Sequence, residues 1–213
     1  MSKPHKSKSH MSKPEDRKVE IIEKRTAFQG YTRIDEYRLR YSLYQGGMGA
    51  EIKREVMERG HAILVLPYDP ARDEIVLIEQ FRMGLYARGD DPWCLEVVAG
   101  IIEDGEALED VVRREAREEA GIELDNITHV VDCYTSPGIT SEQISIYCAQ
   151  TDAANAGGVH GVEAEGEDIK VIVMAFDDVM AALSDGRITA GPAIIAAQWL
   201  ALNRGDIRRR WLA

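Results

Sequence analysis

Between Gly100 and Ile122 the chain sets out a helix whose inward face is acidic, and few folds tolerate that. Residues 106–120 contain no Pro and no internal Gly and are rich in Ala, Glu, Arg and Leu, all compatible with a stable helix. Asp104-Gly105 supplies a turn before the segment, Glu106 suits the positive N-terminal end, and Gly121 stops it. At about 100° per residue, Leu108, Val111 and Val112 share one apolar stripe, with Ala116 on its flank. Glu115 and Glu119 fall inside that stripe and Glu118 on its other edge, whereas Glu109, Asp110, Arg113 and Arg117 take the opposite, solvated face. Carboxylates three and four residues apart on a buried side repel one another and raise their own pKa values unless cations neutralise them. Mg²⁺ is a hard cation that prefers oxygen ligands and commonly also takes phosphate oxygens, so the helix points to a metal site acting on phosphate. An exposed Glu-rich helix would carry the same letters, and periodicity alone does not separate the two.

The surrounding residues do separate them. Gly100, Glu106, the pair Arg114-Glu115, the pair Glu118-Glu119, Gly121 and the apolar Ile122 stand at fixed spacings. That run resembles the signature of the Nudix hydrolases at every specified position. The resemblance implies an α/β fold, an α/β/α sandwich with a mixed sheet. It implies two or three Mg²⁺ ions, with Mn²⁺ as the substitute, and hydrolysis of the pyrophosphate in a nucleoside diphosphate linked to another moiety. By position it implies Glu115, Glu118 and Glu119 as metal ligands, the carbonyl of Ala99 as a further ligand, Arg114 as the residue that orients the carboxylates, and Glu106 as support behind them. Pro137, in Thr135-Ser136-Pro137-Gly138, stands where members acting on ADP-ribose carry a proline. The similarity extends from about Val19 to the C-terminus, through Gln29-Gly30-Tyr31, Arg54-Glu55, Glu79-Gln80-Phe81-Arg82 and Thr140-Ser141-Glu142. The implied reaction is Mg²⁺-dependent cleavage of ADP-ribose to AMP and ribose 5-phosphate. Two rivals stand beside it: a pyrophosphatase for another nucleotide sugar such as GDP-mannose, and a Nudix fold that senses a nucleotide without turnover. The intact glutamates argue against the second.

A second acidic cluster, Glu163, Glu165, Glu167 and Asp168, follows the glycines of segment 157–161. A mobile loop of this kind often completes a site around substrate. Cleavage by water needs a base or a metal-bound hydroxide, and carboxylates already holding metal are poor bases. The resemblance implies Glu165 as the base and Glu167 as a further metal ligand; a solvated acidic loop is the plain alternative. It also implies substrate contacts from Tyr31, Arg54, Arg82 and Glu142. Arg82 ends an apolar strand, where a guanidinium can hold phosphate or stack on a base.

Composition sets the remaining bounds. The 213 residues suffice for one main domain and an extension. A net charge of −11 argues against a nucleic-acid partner. No apolar run is long enough for a bilayer and no signal-peptide pattern is read, so a cytoplasmic protein is expected. Cys94, Cys133 and Cys148 lie in apolar, strand-like segments and read as buried reduced thiols. Residues 1–17, with His5 and His10, read as a disordered polar tail. Residues 18–58 read as an antiparallel β extension, which the resemblance makes the homodimer element, and 59–213 as the catalytic domain binding a nucleotide sugar. The last helix, about 191–203, is expected to pack through Ile194, Ile195, Gln198, Trp199 and Leu202, and Trp93 is expected in the core.

Overall fold

The computed structural model describes residues 17–103 and 105–213. The expected tail, His5 and His10 included, lies outside the described residues apart from Arg17, and so does Asp104. The chain divides into two compact units, one formed by residues 17–59 with 136–141 and the other by Gly60–Thr135 with Glu142–Ala213.

The smaller unit is a three-stranded antiparallel sheet of β1 (Val19–Gln29), β2 (Arg33–Tyr41) and β3 (Ile52–Glu58) in the order β1-β2-β3. It has little apolar interior, and cross-strand ion pairs hold it. Asp35 is buried beneath Lys24 at 3.0 Å and Arg33 at 3.2 Å, and Glu36 pairs with Arg25 at 2.8 Å and with Lys53. Segment 136–141 joins this unit: Met57 N donates to the Ile139 carbonyl at 2.8 Å and Thr140 Oγ1 to the Met57 carbonyl at 3.0 Å. Pro137 belongs to that segment.

The larger unit is built on a mixed sheet. Its strands are β4 (Ala62–Asp69), β5 (Glu74–Phe81), β6 (Trp93–Glu96), β7 (Val98–Ile101), β8 (Ile127–Tyr134), β9 (Gln143–Gln150), β10 (Val159–His160) and β11 (Ile169–Ala175). The order is β10-β11-β5-β4-β9-β8, with β6 on β5, β7 on β4, and the β4–β9 pair parallel. The helices are α1 (Met83–Arg88), α2 (Leu108–Ala120), α3 (Phe176–Asp185) and α4 (Gly191–Trp211). Alternate residues of the central strands serve opposite layers, which is why these strands read as unbroken apolar runs. Ile63 and Val65 of β4 and Val76 and Ile78 of β5 pack with Val111, Val112 and Ala116 of α2. Leu64, Leu66 and Tyr68, with Ile75 and Leu77, pack with Val179, Ala196 and Leu200 of α3 and α4. The result is the expected α/β/α sandwich.

Several local expectations need correction. Helix α4 runs on to Trp211, because Gly205-Asp206 interrupts the apolar stripe without breaking the helix. Its sheet-facing residues are Ala193, Ala196, Ala197 and Leu200, followed by Ile207 and Trp211. Small side chains let the helix lie close to the sheet, so Ile195, Gln198 and Leu202 face outward instead. The extra turns are fixed by Asp73, which accepts from Tyr68 Oη at 2.6 Å and Arg204 Nε at 2.8 Å and pairs with Arg208 at 3.0 Å. Trp93 is 63% exposed, edge-on to Phe81 on the surface rather than in the core. Leu108 at the start of α2 is also exposed. All three cysteines are free thiols, but Cys133 is only half-buried. No helix among the described residues is long and apolar enough to cross a membrane.

Candidate metal and substrate site

Helix α2 presents Glu115 and Glu119 to β7. Its last turn closes on Gly121 in the left-handed region, φ +63°, where a side chain would be strained. Buried Val111, Val112, Ala116 and Ala120 press one stripe onto the sheet, and that stripe carries Glu115 and Glu119 inward with it. Glu119 is 3% exposed, and its Oε2 accepts the Ala99 amide at 2.8 Å. The helix expected to bind metal and the strand residue expected to share its ion are therefore in direct contact. Glu115 lies against Gly100, where any Cβ would overlap its carboxylate.

Arg114 organises the group. Its Nη1 reaches Glu115 at 2.7 Å and Glu118 at 3.1 Å, and its Nη2 reaches Glu106 at 3.4 Å. Glu106 also accepts the Glu103 amide at 3.0 Å, and that bond leads the causes holding its carboxyl below the usual range. Burial pushes the Glu119 carboxyl up to about 8, with the charges of Glu115 and Glu167 adding to the rise. Burial likewise lifts Glu115 to about 7 against the pull of Arg114, with Glu118 and Glu167 adding to the rise. Glu167 is thus within electrostatic reach of the helix carboxylates although it comes from the distant loop. Val162 N donates to its Oε2 at 2.9 Å.

The remaining expected residues are less closely joined. Arg82 binds Glu96 through Nε at 2.8 Å and Nη2 at 2.7 Å, and its charge is felt by Glu119. Arg82 and Glu96 open onto a cleft of about 340 Å³ that also meets Gly84, Leu85 and Thr189. Glu142 is buried and accepts from Thr135 Oγ1 at 2.8 Å. Glu165 ends a short 3₁₀ turn, Glu163–Glu165, with its side chain exposed and free of hydrogen bonds and ion pairs among the described residues. Tyr31, 94% exposed, and Arg54, whose Nη1 donates to the Lys53 carbonyl at 2.7 Å, belong to the smaller unit. Sequence reasoning passed over Glu96, whose only signal was a carboxylate interrupting an apolar strand just before the acidic helix.

Among the described residues no three His, Cys, Asp or Glu side chains are gathered as a ready-made cage, since Arg114 holds Glu115 and Glu118. The donor set still fits a hard divalent cation. It is all oxygen, and two of its carboxylates are pushed toward the neutral form by burial, a penalty that a bound cation removes.

A comparison with family models finds the NUDIX domain over residues 58–197. The chain belongs to the Nudix family. Nudix relatives match over most of their length. The chain is 45% identical over 193 residues to an ADP-ribose pyrophosphatase of Escherichia coli, covering 91% of this chain and 92% of that protein. It is 37% identical over 196 residues to the ADP-ribose pyrophosphatase of Haemophilus influenzae, covering 91% and 90%. A GDP-mannose pyrophosphatase of Pectobacterium atrosepticum is 33% identical over 184 residues, covering 84% and 92%. A solved structure described as an ADP compounds hydrolase superposes with a TM-score of 0.70 at 20% identity, covering 90% of this chain and 97% of that one, and supports the fold.

The raised carboxyls of this Nudix site have a consequence for stability. Their folded-state pKa values of about 7 and about 8 lie above the ordinary 4.5, so the folded state holds protons that the unfolded chain has released. Their contribution to stability is complete below about pH 4.5 and is lost as pH rises through 7 and 8. In chelator, wild-type protein is expected to lose midpoint temperature relative to the Glu119→Gln variant between pH 5 and pH 8.5. Scanning calorimetry across that range checks it, and parallel curves for the two proteins would refute the assignment of burial as the cause.

Proposed function

We propose that the protein is a Mg²⁺-dependent pyrophosphohydrolase that cleaves ADP-ribose to AMP and ribose 5-phosphate. The observation that carries the reading is Arg114 holding Glu115 and Glu118, with Glu119 bonded to the Ala99 peptide and the charge of Glu167 felt by Glu115 and Glu119. The pyrophosphatases named above, similar over nine-tenths of the chain, support ADP-ribose as the substrate. When bound, Mg²⁺ supplies charge neutralisation and Lewis acidity to the diphosphate, and Mn²⁺ supplies the same. Glu115, Glu118, Glu119, Glu167 and the Ala99 carbonyl would hold it. Arg114 fixes the helix carboxylates in register before substrate arrives, so little reorganisation remains. Arg82, braced by Glu96, offers a guanidinium to the diphosphate or the base. Glu142 orients the substrate, and Tyr31 and Arg54 contact its adenosine half. Glu165, exposed on a short turn, takes the proton of the attacking water. A new oxygen–phosphorus bond forms, the bridging phosphorus–oxygen bond breaks, and the proton passes on to solvent.

We read the smaller unit as the element that pairs two copies. Its exposed Val19, Ile21 and Phe28 support this, and light scattering at micromolar protein tests it. Three free thiols fit a reducing compartment, in line with a cytoplasmic enzyme.

The test of substrate is the ratio of kcat/KM for ADP-ribose to that for GDP-mannose, at one Mg²⁺ concentration. A ratio above about 100, equivalent to roughly 3 kcal/mol of discrimination, is expected. A ratio below one would assign the protein to the other nucleotide sugar.

A further inference from the structure

The acidic loop is fastened to α2 by a side chain that takes no part in the chemistry described so far. At the end of the helix, Gly121 leaves space that the His160 imidazole fills: a Cβ on residue 121 would overlap the ring Cε1 and stand 3.0 Å from Nδ1. The same ring donates from Nε2 to the Gly157 carbonyl at 2.8 Å, so it bridges the start of the loop to the end of the helix. One residue on, Gly161 N donates to the Glu118 carbonyl at 3.1 Å, a main-chain bond to one of the metal-binding positions. Gly161 has φ +109°, and a Cβ there would meet Glu167 Cβ at 2.7 Å. Behind the ring, His160 pairs with Ile169, and Val171 N donates to the Gly158 carbonyl at 3.0 Å. The chain from Gly161 to Asp168 is thus held at both ends, and its start is set by the seat of one imidazole on one glycine.

We propose that His160 is a positioning residue: its seat on Gly121 sets where the 161–168 loop stands against α2, and so where Glu165 and Glu167 reach. This rests on the reading of those two glutamates as base and metal ligand. Removing the ring opens a void over Gly121 and leaves the Gly157 carbonyl without that donor. The β10–β11 pair remains, so the fold is kept while the loop, with its Gly161–Glu118 bond, loosens. A base displaced by a fraction of an ångström loses rate more than binding.

Two readouts test it. In Mg²⁺-free protein, amide exchange at Gly161 is expected to quicken about tenfold in His160→Ala. His160→Gln, whose amide nitrogen can reach the Gly157 carbonyl, is expected to restore it. In turnover of ADP-ribose, the Ala variant is expected to lose about thirtyfold in kcat with KM within about threefold, and to need more Mg²⁺ for half-maximal rate. The Gln variant is expected to recover most of the loss. If the Ala variant does not fold, His160→Asn, which stays polar but falls short of Gly157, takes its place. Unchanged exchange at Gly161 overturns the seat. Faster exchange with wild-type kcat and Mg²⁺ requirement overturns its purpose. Wild-type protein without ADP-ribose turnover would instead sink the functional reading, while the exchange result would still decide whether the seat exists.

Discussion

Glu119→Gln is expected to lower kcat on ADP-ribose roughly a thousandfold and, at the same time, to make the Mg²⁺-free protein more stable at pH 8. The two effects have one cause. Glu119 is buried on the sheet side of α2, with a carboxyl pushed up to about 8 by that burial. Gln keeps an oxygen for the Ala99 amide, so the contact at 2.8 Å survives. It removes the charge that desolvation penalises, which stabilises the fold, and also the charge that would bind a cation, which slows turnover. A residue serving only structure would show loss of stability and loss of rate together. The rate loss is measured at saturating Mg²⁺ by following AMP release, and the stability by thermal midpoints in chelator. Full activity in the variant at high Mg²⁺ would remove Glu119 from the ligand set. Mg²⁺ should raise the midpoint of wild type but not of the variant.

Gly100→Ala is expected to cut kcat about a hundredfold with little change in folding. Gly100 sits on β7 opposite Ile63, and a Cβ there would occupy the space of the Glu115 carboxylate. The overlap reaches Glu115 Cγ as well as the carboxylate, so the whole side chain turns about its Cα–Cβ bond while the strand stays in place. Displaced Glu115 leaves Arg114 without its 2.7 Å partner and empties one position of the ligand set. Steady-state kinetics with a matched circular dichroism melt separates the two effects. Wild-type kcat in Gly100→Ala would mean that Glu115 acts from another rotamer and that the glycine serves no purpose in the site.

The residues around α2 were legible because the information is local. Spacing of three and four residues on a helix fixes which side chains share a face, and an apolar stripe fixes which face is buried. The central strands β4, β5 and β9 were legible for a similar reason, since burial on both faces leaves long apolar runs. What the sequence hid depends on register between distant segments. Glu96 meets Arg82 only because β6 pairs with β5, and nothing in either strand names its partner. His160 is an ordinary loop histidine until the loop folds back onto Gly121. In α4 Ile194 and Trp199 pack against the core as expected, but Ile195 and Leu202 misled: Leu202 is 86% exposed, and alanines take the sheet side because they allow a close approach. Trp93 misled in the same way, lying on the surface with Phe81 and Tyr86.

The most direct test is to incubate the protein with ADP-ribose and Mg²⁺ and separate the products. Equal amounts of AMP and ribose 5-phosphate, formed with Mg²⁺ and absent in chelator, are the predicted result. Tight binding of ADP-ribose without any cleavage, or cleavage at a bond outside the diphosphate, would contradict it.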